Sequence, residues 1–210
     1  MIMDLETYLQ QDSSTSYYVE DITFNTGKEK GIVFILESPY IDEVKAQKPL
    51  MGDSGIEISR ILLNSESPFG ELSSNLDIKI ALINVSNVPL QKIDEKEERT
   101  NYKDVNGMKD FETFRSDAPD RNSAFFKNFE KRIKKYINKK NILVVCGKFS
   151  SDYFFEVLYK NKGLMKQFFD NDIKVIKLPH PSYQSWKKII KYHNALMNLK
   201  ELFSTLKNPI

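Results

Sequence analysis

The sequence predicts an α/β fold, with helices sandwiching a mostly parallel sheet, and three observations carry that expectation. Four short apolar runs, at residues 32–36, 78–84, 141–147 and 173–178, are separated by segments with helical spacing, the alternation of βαβ units. The first run, Ile32 to Leu36, has no polar position at all, as a strand covered on both faces requires. Three of the runs end at a polar side chain: Glu37 after the first, Asn84 at the end of the second, and His180 after the fourth. Open α/β sheets bind ligands at the carboxyl ends of their strands, so one topological rule gathers these three residues into one crevice.

Taken in order, residues 1–30 are polar and rich in Ser and Thr around Gln10 to Ser16, with a short helix expected before that stretch and a strand near residues 17–23. No chemistry is evident in them. Residues 31–55 organise the chain. Their strand stops at Glu37 and Ser38 ahead of the breaker Pro39, and Ser54-Gly55-Ile56-Glu57 reads as a capping box opening a helix with Ile58, Ile61 and Leu62 on one face. Backbone N–H groups at such a helix start suit a phosphate. Residues 65–75, with Pro68 and Gly70, read as a loop before the second strand.

From Gln91 to Asn122 the chain is strongly polar and reads as a long surface connection. Residues 123–139 place Phe125, Phe126, Phe129, Ile133, Tyr136 and Ile137 at helical spacing with Lys and Arg between them, predicting an amphipathic basic helix. Gly147-Lys148 after the third strand is no phosphate loop, because no glycine stands five residues earlier. A helix over residues 150–159 and a last helix from about 185 to 206, with Trp186, Ile189, Leu199 and Phe203 on its apolar face, complete the pattern.

A chain of 210 residues with 40% hydrophobic content suits one domain spanning 1–210. The single cysteine, Cys146, excludes an internal disulfide and reads as a buried, inert thiol, consistent with a cytoplasmic location. No apolar stretch approaches a membrane span and the start lacks a basic leader, so no membrane association is expected. Net charge is only +2, but it is unevenly spread. Residues 1–120 hold 12 Lys and Arg against 23 Asp and Glu, whereas residues 121–210 hold 19 against 6. That asymmetry points to a polyanion meeting the C-terminal half, and the rival reading is a basic helix face that is simply solvated.

Residues 37–55 resemble the first motif of the uracil-DNA glycosylase superfamily, in the branch whose motif runs Gly-Glu-x-Pro-Gly, an acidic stretch, then Pro-Phe-x-Gly-x-x-Gly. Glu37, Pro39, Glu43, Pro49, Gly52 and Gly55 fall in the same register. Asn84 in Leu-Ile-Asn-Val is similar to the asparagine that reads the flipped base, and His180-Pro181-Ser182-Tyr183 is similar to the second catalytic motif. The resemblance covers about residues 31–186. It implies a three-layer sandwich around a central four-stranded parallel sheet, with DNA as partner, a role in base-excision repair, a monomer and no cofactor.

Hydrolysis of an N-glycosidic bond gives these residue types a common use. The base leaves with negative charge while the sugar becomes oxocarbenium-like, so donors at the base and a carboxylate near a water stabilise the transition state. Glu37 is the candidate for orienting or activating the water, with Asp42 and Glu43 as alternatives, and His180 is the candidate donor to the leaving base. Asn84 offers a donor and an acceptor to a base edge, and the resemblance implies that Tyr40 closes the base pocket. By the resemblance, Ser38 stands where an Asp or Asn positions the water, Leu50 where a Phe stacks on the base, and Gln184 where a Leu wedges the duplex, with Trp186 as a substitute wedge. Ser54, Lys148, Ser182, Lys187, Lys188 and Lys191 are the candidate phosphate contacts. One cysteine and two histidines cannot supply the four ligands of an iron–sulfur cluster or a structural zinc, so no metal is expected. The rival readings are a catalytically silent DNA- or base-binding protein on the same fold and a hydrolase directed to RNA or nucleotides.

Phosphate contacts release counterions, so log K for DNA is expected to fall with log salt at roughly 0.9 per phosphate contacted. Replacing Lys187 and Lys188 together with Ala lowers that slope by up to about 2 and weakens all sequences alike, which anisotropy titrations at several salt concentrations measure. An unchanged slope puts the DNA path elsewhere.

Overall fold

The run without a polar position becomes an inner strand. In the structure, a computed structural model that describes residues 18–25, 30–90, 121, 124–170, 173–181 and 193–207, β1 (Gly31–Leu36) lies between β2 (Lys79–Asn84) and β3 (Ile142–Cys146), and β4 (Lys174–Leu178) follows β3. All three pairings are parallel, giving the order β2-β1-β3-β4. Successive side chains of β1 enter different cores. Val33 and Ile35 join one, Ile32, Phe34 and Leu36 the other, and none of the five is more than 5% exposed. Burying each such side chain contributes about 1.5–3 kcal/mol, which selects against a polar residue on either face of this strand.

Seven helices accompany the sheet among the described residues: α1 (Ile41–Ala46), α2 (Asp53–Leu63), α3 (Phe69–Leu72), α4 (Ala124–Ile133), α5 (Lys148–Lys160), α6 (Lys162–Asp170) and α7 (His193–Lys207). Ile58 and Leu62 of α2, Phe69 of α3, and Leu199 and Phe203 of α7 pack on the Phe34 face. Phe126, Phe129 and Ile133 of α4 and Tyr153, Phe154 and Val157 of α5 pack on the Val33 face. The path from β1 to β2 crosses the sheet in one direction with α2 on one face. The paths from β2 to β3 and from β3 to β4 run the other way, with α4 and α5 on the opposite face. A single handedness of parallel crossover requires this reversal, and it parts the chain connections above β1 and β3.

Polar ties join α4 to α5. The Glu130 carboxylate accepts from Lys160 Nζ at 2.8 Å and Asn161 Nδ2 at 2.9 Å and is paired with Lys134 at 2.5 Å. Burial alone would raise its pKa, but these three donors outweigh it and hold the carboxyl at about 2. Its contribution to stability is therefore present above the ordinary carboxylate range and is lost as pH falls toward 2.

Several local expectations are corrected. The capping box at Ser54 does not form: α2 begins at Asp53 with Gly52 as its N-cap and no side-chain cap, and Glu57 is instead buried and paired with Arg60 at 2.6 Å. Residues 65–75 are not all loop, because burial of Phe69 draws them into α3 and a 3-10 turn, Ser73–Asn75. Among the described residues of the strand expected near residues 17–23, one antiparallel bridge forms, Ile22 to Leu82, on the outer edge of β2, and residue 17 lies outside the described residues. The helix expected over 123–139 ends as α at Ile133 and tightens to a 3-10 turn, Lys134–Tyr136. α6 was not anticipated: it buries no residue fully, and only Leu164, Met165 and Phe168 pack partly on the core. The helix expected before Gln10, nearly all of the 91–122 connection and the first part of the last helix lie outside the described residues.

Phe69 is fully buried between Phe34 and Phe203, with ring centroids 5.3 and 6.1 Å away in edge-to-face arrangements. Phe69→Ala is expected to cost about 3–5 kcal/mol in urea unfolding, through lost burial and a residual cavity. A cost under about 1 kcal/mol would mean that α3 is not anchored through this ring.

Candidate functional site

Beyond Leu36 the chain leaves the sheet at Glu37, turns at Pro39 and enters α1. The turn is held by a carboxylate. Glu43 Oε2 accepts the Tyr40 N–H at 2.7 Å, and the Glu43 carbonyl accepts the Lys48 N–H at 3.1 Å. Glu43 is only 7% exposed, and burial pushes its carboxyl pKa up; backbone N–H groups of Tyr40 and Leu50 oppose the rise and the neighbouring Asp42 charge adds to it.

Leu50 follows in the left-handed region, φ 56°, which a leucine adopts only at a cost of order 1–3 kcal/mol. The surrounding backbone over-determines it. The Leu50 carbonyl accepts the Gly70 N–H at 3.0 Å, a Cβ on Gly55 would lie 1.8 Å from the same oxygen, and a Cβ on Gly70 would lie 2.0 Å from the Pro49 carbonyl. Two glycines thus let the start of α2 and the start of α3 close on one strained turn.

The other strand ends bring their groups to the same place. Asn84, 2% exposed, is fixed by its main chain: its N–H donates to Asp21 Oδ1 at 3.3 Å and its carbonyl accepts from Arg132 Nη1 at 2.7 Å. Its side-chain Nδ2 is buried and has no hydrogen-bond partner among the described residues. Ser38 Oγ accepts the Leu90 N–H at 3.4 Å, tying the end of β1 to the chain beyond β2. At the far side, the Gly147 N–H donates to the Leu178 carbonyl at 2.9 Å, and Gly147 at φ 93° lies against the backbone of half-buried His180. Only glycine adopts that φ without strain.

These ends enclose a pocket of about 160 Å³. Glu37, Ser38, Tyr40, Leu50, Ser54, Asn84 and His180 all line it, as do Asp42 and Glu43, the two alternative carboxylates. Four of the lining residues, Glu37, Asp42, Glu43 and Asp53, are acidic, and no Lys or Arg is among the described residues that line it. Lys148 does not line it: it sits exposed on the first turn of α5, paired with Asp152. Such a surface pair is worth less than about 1 kcal/mol and is readily exchanged for another anion. Ser182, Gln184, Trp186, Lys187, Lys188 and Lys191 lie outside the described residues.

Asp53, Gly70 and the Asp21–Arg132 pair belong to this arrangement and were not found by reading the sequence. Asp53 matches no motif, Gly70 has only the pattern of a loop glycine, and Asp21 and Arg132 reach Asn84 across 63 and 48 residues with no local pattern to mark them. Cys146 closes β3 nearby, but burial pushes its thiol up to about 12, so no thiolate is offered there. Among the described residues no cluster of three or more His, Cys, Asp or Glu is placed to hold a metal ion.

No protein-family model matches this chain, and no curated protein matches it.

The raised Glu43 pKa has a definite sign in stability. The folded state holds this proton more tightly than the unfolded chain, so the favourable contribution is complete below the usual glutamate value and is lost as pH rises through the folded value. Wild-type stability minus that of Glu43→Gln is therefore expected to decrease between about pH 4 and neutrality, as urea unfolding at a series of pH values would show. A difference that grows with pH over this window would mean that the backbone N–H bonds outweigh burial.

Proposed function

We propose that this protein is a uracil-DNA glycosylase-like enzyme, which takes a uracil or a modified base flipped out of DNA into the pocket and hydrolyses its N-glycosidic bond. The observation that carries the reading is the buried, unpartnered Asn84 amide at a pocket shared with His180 and Glu37. Leaving such a group unsatisfied costs about 1–3 kcal/mol, which a ligand carbonyl oxygen would recover. The cavity is well below the roughly 300–1,000 Å³ of drug-sized sites and suits a ligand of nucleobase dimensions. Four carboxylates without a described lysine or arginine favour a base or sugar inside and phosphates outside, which argues against a nucleotide-directed hydrolase.

The reaction follows from these groups. A water held by Glu37 attacks C1′, the C1′–N bond breaks with its electron pair passing to the base, and the carboxylate takes the proton of the water. Negative charge near the sugar favours the oxocarbenium-like transition state, and His180 donates to the oxygen of the departing base. A second reading, a silent base reader, is favoured by one observation: Ser38, at the place of the water-positioning residue, already accepts the Leu90 N–H.

End-labelled strands containing uracil, hypoxanthine, xanthine or hydroxymethylated cytosine, incubated with the protein and then treated with alkali, separate the two. Strand cleavage is expected for at least one base, with a 10²- to 10³-fold loss of rate in His180→Ala, the cost of one preorganised donor. Tight, base-selective binding without cleavage would establish the silent reader, and the absence of both would overturn the assignment.

A further inference from the structure

We propose that the Asp21–Arg132 ion pair is a positioning device for Asn84, setting the main chain of that residue so that its amide meets the ligand; the proposal rests on the base-reading role given to Asn84 above. The pair joins two distant parts of the chain at the end of β2. Arg132 Nη1 donates to Asp21 Oδ2 at 2.8 Å and to the Asn84 carbonyl at 2.7 Å, while Nη2 donates to the Val85 carbonyl at 2.9 Å. Asp21 Oδ1 accepts the Asn84 N–H at 3.3 Å and Asn87 Nδ2 at 3.1 Å. Both outward main-chain groups of Asn84 are thus held by one charged pair.

Two features separate this from simple protection of a sheet edge. Two residues earlier, the same edge is closed by main chain alone, through the Ile22 N–H to the Leu82 carbonyl at 3.1 Å and the Leu82 N–H to the Ile22 carbonyl at 2.9 Å. At Asn84 the chain replaces that ladder with a carboxylate and a guanidinium only 7% and 16% exposed, whose charge-assisted bonds are stiffer and more directional. The arginine is itself fixed, by Nε donating to Asn128 Oδ1 at 2.7 Å and by packing 5.8 Å from the Phe129 ring centroid. A planar fork held at its base and gripping two successive carbonyls fixes the rotation of the strand end, and with it the direction of the Asn84 side chain.

The test is a double-mutant cycle on affinity for duplexes carrying uracil, hypoxanthine, xanthine or hydroxymethylcytosine, each compared with the unmodified duplex. Asn84→Ala is expected to lower base-selective affinity at least tenfold. Arg132→Gln is expected to lower it severalfold without changing affinity for the unmodified duplex, and Asn84→Ala with Arg132→Gln is expected to bind no worse than Asn84→Ala alone. If Arg132→Gln does not fold, as judged by circular dichroism, the same cycle is run with Arg132→Lys, which keeps the charge but cannot grip both carbonyls, and with Asp21→Asn. Additive losses, or full selectivity in the arginine and aspartate variants, would overturn the positioning role while leaving Asn84 as the reader. Unaltered selectivity in Asn84→Ala, or none in the wild type, would overturn the reader and the positioning role together.

Discussion

Burial of β1 on both faces constrains everything that follows it. A strand with no exposed side cannot carry polar chemistry along its length, so the first residues able to do so are those beyond Leu36, where the sheet ends and the connections part. The strained turn at Leu50 depends on the same geometry. Because α2 must return to cover Ile32 and Phe34, the chain between Glu37 and Asp53 has to reverse within a short span. It does so by bringing the Leu50 carbonyl within reach of the backbones of Gly55 and Gly70. The pocket wall is thereby built from main chain packed on main chain, which leaves little room for it to relax.

What was legible in the sequence was the part governed by local pattern. The four strands were readable because short apolar runs, even where lysine interrupts the second and fourth, are bounded by turn residues and separated by helical spacing, and the gathering of Glu37, Asn84 and His180 at one pocket follows from strand ends in a parallel sheet. What was not legible depended on distant partners. Ser54 and Glu57 have the composition of a capping box, yet close packing of Gly55 on Leu50 and the burial of Glu57 beside Arg60 moved the helix start to Asp53. α6 is short and buries none of its residues fully: Leu164, Met165 and Phe168 stand at helical spacing but are only partly buried, and Phe169 is exposed. Arg132 looked like one more cation on a basic helix, and only the fold turns it toward the carbonyls of residues 84 and 85.

Charge is unevenly spread along the chain. Acidic residues line the pocket, whereas the sequence beyond residue 120 is strongly basic, so under the proposed function a DNA strand would be attracted by the basic residues and have its phosphates repelled by the acidic ones. Under that proposal the division would favour presenting a base with its backbone left outside, and would give the acidic turn a use in orientation beyond any use in proton transfer.

The two margins of the sheet are finished differently, and the difference bears on behaviour at high concentration. Among the described residues, the β2 margin is bridged by Ile22 and tied at Asn84 by Asp21 and Arg132, whereas β4 ends the sheet with Lys174 and Lys177 exposed along it. Main-chain donors and acceptors on a terminal strand are a template for another molecule's strand, and the commonest route from a soluble fold to an ordered aggregate begins with that pairing. Two lysines separated by two residues would bring like charges together if a second β4 were laid alongside. This stretch of the chain therefore carries its own deterrent to fibril growth, one that weakens as salt screens the ammonium groups.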